Sequence, residues 1–158
     1  WSFNMDPILS FYLGFTDDHH RTLKEILSWE DSKLEEIHNW IQWVLPIKTT
    51  SKFNNTAPML TDETIKILIN NKDQLYNIFF RFIKYLNLDQ DYPFWITRYN
   101  HNYLRITRFL LWMHEMQFSS QEIDRVYFKL ESYYYNFPEL IGLETFAYWK
   151  LAKNGKYY

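Results

Sequence analysis

Two arginines lie one helical turn apart in a segment that is otherwise largely apolar. Arg105 and Arg108 share a narrow helical face with His101, since successive residues of a helix are rotated by about 100°. A helix that is apolar around most of its circumference is usually buried, and guanidinium groups on it then need carboxylates, carbonyls or a bound anion as partners. Paired guanidiniums can hold a ligand's charge in a bidentate clamp. The spacing therefore indicates an anion or carboxylate pocket, with His101 as a further hydrogen-bonding group.

A second polar stripe is predicted on a helix from about 33 to 45. Glu35, His38 and Gln42 occur at i, i+3 and i+7 beside its apolar side, so they could face the arginines. In a ligand pocket, Gln42 would add an oriented hydrogen bond to the clamp. The alternative is an internal polar network of Glu35 with both arginines that fixes helix register, because structural ion pairs also cluster in this way. The residues leave both interpretations open.

No catalytic motif accompanies these residues. The sequence contains no glycine-rich phosphate loop, nucleophile elbow or kinase signature. An enzyme acting on an anionic small molecule or nucleic acid would have to use His38 or His101 as its general base. We therefore interpret the chain as non-enzymatic and keep that enzyme as the alternative.

Metal ligands are also poorly represented. Glu35 and His38 form half of a di-iron carboxylate signature, but that site needs the motif on two helices, and no second Glu-x-x-His occurs. His19 and His20 are adjacent in a predicted turn, for which a solvated loop is the better interpretation. The chain has no cysteine to supply thiolate ligands. We predict neither a metal nor another cofactor.

Composition and charge limit the class of protein. Aromatic residues make up 21% of the 158 residues against only 3 Gly and 5 Pro, which is the opposite of a disordered composition. The net charge of -2 provides no overall attraction to nucleic acid or to an anionic membrane. No transmembrane run and no secretory signal pattern occur, so we expect a soluble cytoplasmic protein without a nucleic-acid partner.

Local signals predict the elements that position the polar residues. Three capping boxes, in which a hydroxyl accepts from a free amide and a glutamate reaches back, occur at Thr22 to Glu25, Ser32 to Glu35 and Ser119 to Glu122. Apolar periodicity predicts further helices at about 63–69, 75–86, 102 onward and 143–153. Residues 47–60 and 88–100 are predicted to be ordered loops that aromatic side chains hold in place.

The predicted fold is therefore all-α. We expect a single compact, irregular or orthogonal helical bundle of about six to eight helices over residues 6–158, with ordered aromatic-rich loops. Residues 1–5 are interpreted as residual sequence from cloning or truncation and receive no functional weight.

Exposed aromatic residues would indicate a recognition surface. Tyr133, Tyr134 and Tyr135, together with Trp40 and Trp43, could stack on bases or peptide side chains. Aromatic residues are more often part of the core, and we favour that interpretation for this chain. Trp40 lies away from the apolar stripe of its predicted helix, so it either packs against a loop or belongs to a recognition surface.

The order of these segments resembles a known family. The first similar segment runs from Leu34 to Trp43 and continues with Leu45-Pro46, Phe53-Asn54 and Ala57 to Thr61. It resembles the His-x-x-Ile-Gln-Trp-x-x-Pro core of the opioid growth factor receptor conserved region. The run from Asn100 to Arg108 is similar to the second signature of that family. Further similarity, at Phe11-Tyr12, Leu23 to Trp29 and Phe146 to Trp149, extends the resemblance over nearly the whole chain.

The resemblance implies an all-α domain with a peptide receptor-like role. Animal members are described as binding the pentapeptide Met-enkephalin and restraining cell proliferation at the nuclear periphery, so a nuclear-periphery location and peripheral membrane association follow by analogy alone. This chain ends just after the domain and is similar to the shorter stand-alone versions found in microbes. Leu86-Asn87 departs from the family's usual Tyr-Gly after the central helix, which concerns loop geometry more than function.

The sequence thus predicts a non-enzymatic helical binding domain. Its expected partner is a short peptide, another carboxylate-bearing ligand or a protein. The residues predicted to bind it are Arg105, Arg108, His101, Asn102, His38, Gln42, Glu35 and Trp43.

Overall fold

The computed structural model describes residues 5–49 and 56–157 of the chain. Ten helices and no strand occur in these ranges, so the prediction of an all-α fold is confirmed. The helices exceed the predicted number because several are too short to produce a clear periodicity. Trp1 to Asn4, Phe53 and Asn54, which enter the sequence interpretation, lie outside the described residues. None of the described helices combines the length and hydropathy that crossing a bilayer requires.

The chain divides into two compact units, residues 1–85 and 86–158. The first contains α1 (Pro7–Tyr12), α2 (Leu23–Leu27), α3 (Asp31–Glu36), α4 (Ile41–Val44), α5 (Asp62–Leu68) and nearly all of α6 (Lys72–Leu86). The second contains α7 (Asn102–Glu115), α8 (Ser120–Asn136), α9 (Pro138–Ile141) and α10 (Leu143–Lys153). The expectation of one domain over residues 6–158 stays a prediction.

Side-chain caps determine where several helices begin. The hydroxyl of Thr22 accepts a hydrogen bond from the amide of Glu25 at 3.1 Å, so the first predicted capping signal begins α2. Ser119 and Glu122 form a complete capping box at the start of α8, as the sequence predicts. The signal at Ser32 is not used, because α3 has already begun one residue earlier.

Two short helices that begin at prolines are missing from the sequence prediction. α1 begins at Pro7, behind Asp6, whose carboxylate accepts a hydrogen bond from the amide of Ile8 at 2.8 Å. α9 begins at Pro138. Proline suits the first helical position because its φ is fixed near the helical value and the amide proton it lacks would have no intrahelical partner.

Long side chains join the helices of the first unit through backbone carbonyls. Tyr12 donates a hydrogen bond to the carbonyl of Val44 at 2.6 Å, and Gln74 donates to the carbonyl of Tyr12 at 2.6 Å. The guanidinium of Arg81 donates to the carbonyl of Trp29, just beyond α2, at 2.7 Å. Nε of Arg81 also donates to the carbonyl of Leu27, the last residue of α2, at 3.2 Å. Carbonyls at a helix C-terminus have no intrahelical partner, so this bond satisfies one of them and holds α6 beside α2.

An aromatic cluster lies within the second unit. The fully buried ring of Trp95 has its centroid between 5.4 and 6.2 Å from those of Tyr103, Tyr133 and Trp149, in edge-to-face contacts. The Trp95 indole donates to the carbonyl of Leu86 at 2.7 Å. Because Trp95 belongs to the connection between α6 and α7, the prediction of an ordered, aromatic-anchored loop there is confirmed.

The last helix, α10, packs on α7 and α8. It buries Phe146, Trp149 and Ala152, and its bounds agree with the predicted helix at 143–153. The indole of Trp149 donates to the carbonyl of Tyr103 in the first turn of α7 at 3.2 Å. This bond and the burial of Trp149 fix α10 against α7.

Candidate functional site

The predicted helix from 33 to 45 is wrong, because the chain leaves helical geometry after Glu36. Ile37 is extended, with φ -92° and ψ 129°. In a continuous helix the carbonyl of Leu34 would accept from the amide four residues later, whereas here it accepts from the indole of Trp40 at 3.0 Å. Helical structure resumes only at Ile41, where α4 begins.

The break separates the three residues predicted to form one polar stripe. Glu35, in α3, is half-buried and accepts a hydrogen bond from the hydroxyl of Tyr85. His38 is exposed in the non-helical stretch, and Gln42, in α4, is only 5% exposed. The structure therefore does not place Glu35, His38 and Gln42 on a common helical face.

A polar network that the sequence interpretation missed helps to hold this break. The carboxylate of Asp17, whose side chain is 0% exposed, accepts hydrogen bonds from Nε and Nη2 of Arg21 at 2.9 and 2.6 Å. Nη1 of the same arginine donates to the side-chain oxygen of Asn39 at 2.8 Å. Asn39 thus makes tertiary rather than helical contacts. The one sequence signal for the network is the i, i+4 spacing of Asp17 and Arg21.

The histidine pair next to this network lies in an exposed turn, which confirms the predicted solvated loop. His20 is exposed at φ 60°. The ring of His19 lies between Oδ1 of Asp18, at 2.9 Å, and the side-chain nitrogen of Asn39, at 3.2 Å. Across the described ranges, no group of three or more metal-capable side chains is placed to hold an ion.

The short helix α4 carries two buried polar groups of opposite character. Gln42 and Trp43 are 5% and 6% exposed. Oε1 of Gln42, an acceptor, and Nε1 of Trp43, a donor, both lack a hydrogen-bond partner among the described residues. Leaving such a group unsatisfied costs about 1–3 kcal/mol. Adjacent residues of α4 therefore present one donor and one acceptor that no other described residue satisfies.

The surroundings of α4 are closely packed. The ring of Phe11 in α1 meets that of Trp43 edge-on, with centroids 5.5 Å apart. Ser10, also in α1 and 1% exposed, has a hydroxyl that likewise lacks a partner in the described part of the chain. Trp40 is only 2% exposed, so of the two predicted roles for this residue the structure supports packing rather than a recognition surface.

In the second unit, α7 begins at Asn102, close to the predicted start, but Asn102 is the first helical residue rather than the predicted N-cap. The capping oxygen comes from Asn100, whose Oδ1 accepts from the amide of Asn102 at 2.9 Å. Asn102 itself is fully buried. Thr107 is 2% exposed and donates to the carbonyl of Tyr103 at 3.1 Å. The predicted burial of this helix is confirmed, since most of its side chains are inaccessible to solvent.

The residues of the predicted arginine stripe are buried to different degrees. Arg105 is 5% exposed, while Arg108 and His101 are half-buried. Neither guanidinium is free. An arrangement in which both charged groups point into bulk water therefore does not occur. The choice between a ligand clamp and an internal ion-pair network stays a prediction, as does a common site formed with Gln42 and Glu35.

The family model described as the opioid growth factor receptor (OGFr) conserved region matches residues 7–139. That match covers most of the 158 residues. The chain belongs to the opioid growth factor receptor conserved region family. No curated protein and no solved structure matches it. The OGFr match includes α4 and α7, which carry the two signature segments, and it ends before α10 begins.

Proposed function

We propose that this OGFr-family chain is a non-enzymatic binding module for a short peptide and that α4 supplies its recognition groups. The observation that carries the proposal is a pair of atoms on α4, Oε1 of Gln42 and Nε1 of Trp43, for which residues 5–49 and 56–157 provide no hydrogen-bond partner. Each peptide unit offers one N–H donor and one carbonyl acceptor, which is the complement of this pair. A bound peptide would therefore satisfy both groups and remove the cost of leaving them unpaired.

Gln42 and Trp43 are buried, so a peptide could reach their polar atoms only after the residues packed over them had moved. α4 is a single turn of four residues, and the preceding stretch from Ile37 to Trp40 is not helical. A local opening therefore has few helical hydrogen bonds to break. We expect binding to proceed through a small displacement of α4 rather than by docking on a rigid surface.

The arginines supply the charge recognition in this proposal. A short peptide ends in a carboxylate, and guanidinium groups bind a carboxylate bidentately. We assign this role to Arg105 and Arg108 on α7, with His101 and Asn102 at the start of that helix, and we keep Glu35 and His38 as further predicted ligand-binding residues. The family name supports a receptor-like role, since the matching model is described as that of an opioid growth factor receptor.

The proposal includes no cofactor and no nucleic-acid partner. The net charge of -2 gives no general attraction to phosphate backbones. We place the module in the cytoplasm, and a location at the nuclear periphery would rest on animal relatives alone.

Titration calorimetry with the pentapeptide Met-enkephalin as the probe tests the proposal. Trp43→Phe removes the indole N–H together with part of the ring, and Gln42→Met replaces the amide with an apolar group of similar size, so each change deletes one recognition group. Each variant should bind about fivefold more weakly than the natural chain, since one hydrogen bond is worth about 1 kcal/mol. Gln42→Met should leave thermal stability unchanged or slightly higher, because it removes a polar group that has no partner among the described residues with little change in volume. Trp43→Phe should lose some stability, because the smaller ring leaves a cavity beside Phe11.

Trp40→Phe is the matched control, because its indole N–H has a partner in the carbonyl of Leu34. This variant should lose stability and retain affinity for the peptide. Equal affinity of the natural chain, Trp43→Phe and Gln42→Met would contradict the role of α4. Failure of the natural chain to bind both Met-enkephalin and a mixed pentapeptide library would contradict peptide binding altogether.

A further inference from the structure

A cleft of about 440 Å³ lies beside α6 in the first unit. One side is formed by residues 27–31, which run from the end of α2 to the start of α3, and the other by Arg81 and Lys84 of α6. The volume falls within the roughly 300–1,000 Å³ typical of small-molecule sites. None of the residues that line the cleft belongs to α4, so it is separate from the peptide site proposed above.

The guanidinium of Arg81 is a fixed part of the cleft lining. Its Nε and Nη2 donate to the carbonyls of Leu27 and Trp29, and Nη2 also lies 2.7 Å from Oδ1 of Asp31. Nη1 of Arg81 is buried and has no hydrogen-bond partner among residues 5–49 and 56–157. A buried donor without an acceptor is destabilising, and more so when it carries charge. An oxygen atom of a ligand would therefore stabilise this group.

Two exposed side chains of opposite charge also line the cleft. Lys84 follows Arg81 by three residues, so the two cationic side chains lie on the same side of α6, one turn apart. Glu30 precedes α3, and its side chain forms no cap hydrogen bond there. Within the described ranges neither Lys84 nor Glu30 has an ion-pair partner. Both charges are therefore available to a ligand.

The charges of the lining balance, since two side chains are cationic and two, Glu30 and Asp31, are acidic. This balance favours a neutral ligand with both charges over a simple anion, which the carboxylates would repel. The opposite charges are also close together, because Asp31 contacts Arg81 directly. The termini of an extended pentapeptide are roughly 16 Å apart, whereas a free amino acid has its ammonium and carboxylate on one carbon. The cleft is therefore complementary to an amino acid.

We propose that this cleft binds a free α-amino acid with an apolar side chain. The ligand's carboxylate bonds to Nη1 of Arg81 and Nζ of Lys84, and its ammonium bonds to the carboxylate of Glu30. Its side chain contacts Leu27 and Trp29, which also line the cleft. Nη1 is covered in the free protein, so binding includes a small movement of the side chains around it. The proposal does not rest on peptide binding at α4.

Titration calorimetry with L-leucine, N-acetyl-L-leucine and L-leucinamide as probes tests the two charge contacts separately. N-acetyl-L-leucine keeps the carboxylate but has no ammonium, whereas L-leucinamide keeps the ammonium but has no carboxylate. Each should bind at least about tenfold more weakly than L-leucine, because each loses a charge-assisted hydrogen bond. Equal binding of the three probes would overturn the proposal. So would the failure of both L-leucine and L-phenylalanine to bind at millimolar concentration.

Lys84→Met and Glu30→Gln assign the two contacts. Lys84→Met should weaken L-leucine and reduce its advantage over L-leucinamide, since that probe has no carboxylate to lose. Glu30→Gln should likewise reduce the advantage of L-leucine over N-acetyl-L-leucine. Lys72→Met on α6 and Glu36→Gln on α3 are the matched controls, because both residues are exposed and lie outside the cleft.

The control variants should bind L-leucine like the natural chain. Circular dichroism should show an unchanged fold in all four variants, because each replaced side chain is exposed. Natural affinity in both Lys84→Met and Glu30→Gln would contradict the proposed contacts. An equal loss of L-leucine binding in the cleft variants and the controls would show that the effect of charge is not specific to the cleft, which would also overturn the proposal.

Discussion

Gly155 lies directly against the imidazole ring of His114, so closely that a Cβ atom on the glycine would come within 3.0 Å of the ring. The glycine also has φ +72°, in the left-handed region that glycine adopts without steric cost. His114 is near the end of α7, and Gly155 follows the end of α10 by two residues. The contact therefore fixes the course of the chain as it leaves α10.

Gly155→Ala should destabilise the protein by about 2 kcal/mol, because a left-handed conformation costs roughly 1–2 kcal/mol for an L-residue and the His114 ring must also move. Urea denaturation measures the change. Combining it with His114→Ala should recover the part that arises from the ring and leave about 1 kcal/mol from the backbone. Equal stability of Gly155→Ala and the natural chain would show that this contact has no energetic consequence.

Asp17→Asn should destabilise the first unit by about 3 kcal/mol, because it leaves the guanidinium of Arg21 largely buried without its carboxylate. The side chain of Arg21 is only 13% exposed. Asp18→Asn is the matched control, since Asp18 is exposed and its carboxylate contacts the ring of His19. The control should change the free energy of unfolding by less than about 0.5 kcal/mol. Similar losses in both variants would contradict a special role for Asp17.

Two tryptophans three residues apart should respond differently to loss of the indole N–H. Trp40→Phe removes a hydrogen bond to Leu34 and should cost about 1 kcal/mol of stability or more. Trp43→Phe removes a buried donor that has no partner among the described residues, so it bears only the cost of the smaller ring, which Trp40→Phe shares. It should therefore lose about 1 kcal/mol less than Trp40→Phe. Thermal and urea denaturation of both variants test this. A larger loss in Trp43→Phe than in Trp40→Phe would contradict the prediction.

Stability should fall at high pH because of buried tyrosines in the second unit. Burial raises the pKa of Tyr103 and of Tyr133 from 10.0 to about 12. Between these values the unfolded chain has lost the phenolic protons that the folded chain keeps, so the stabilisation present below pH 10 disappears as the pH rises towards 12. Urea denaturation at a series of pH values measures the decline. In Tyr103→Phe it should be shallower, and a flat profile in the natural chain would be inconsistent with the raised pKa values.

Local signals predicted the helices whose ends are set by neighbouring residues. The Ser119 capping box and the periodic pattern behind it give α8 to within a residue or two, because the cap and the apolar side are both encoded within that segment. The predicted helix at 33–45 was wrong because contacts from other parts of the chain determine the geometry after Glu36. Trp40 turns back to Leu34, and Arg21 engages Asn39, from 18 residues earlier in the chain. Such tertiary contacts do not appear in any local pattern.

The candidate site was predicted in part. Gln42 and Trp43 were named from the sequence, Gln42 as part of a helical stripe that does not exist and Trp43 from the family motif. Their buried, unpartnered polar atoms could be recognised only from coordinates, because whether a side chain finds a partner depends on packing around it. The burial of Arg105, in contrast, follows from the apolar residues that surround it on α7.

Trp149 lies ten residues beyond the last position of the family match, yet it is fully buried and bonded to Tyr103 within that match. A fragment trimmed at residue 139 would expose the rings of Tyr103 and Trp95 and leave α7 without the neighbour that covers it. A fragment for expression and crystallisation should therefore extend beyond residue 139 to include α10, because that helix covers core side chains that belong to the family match.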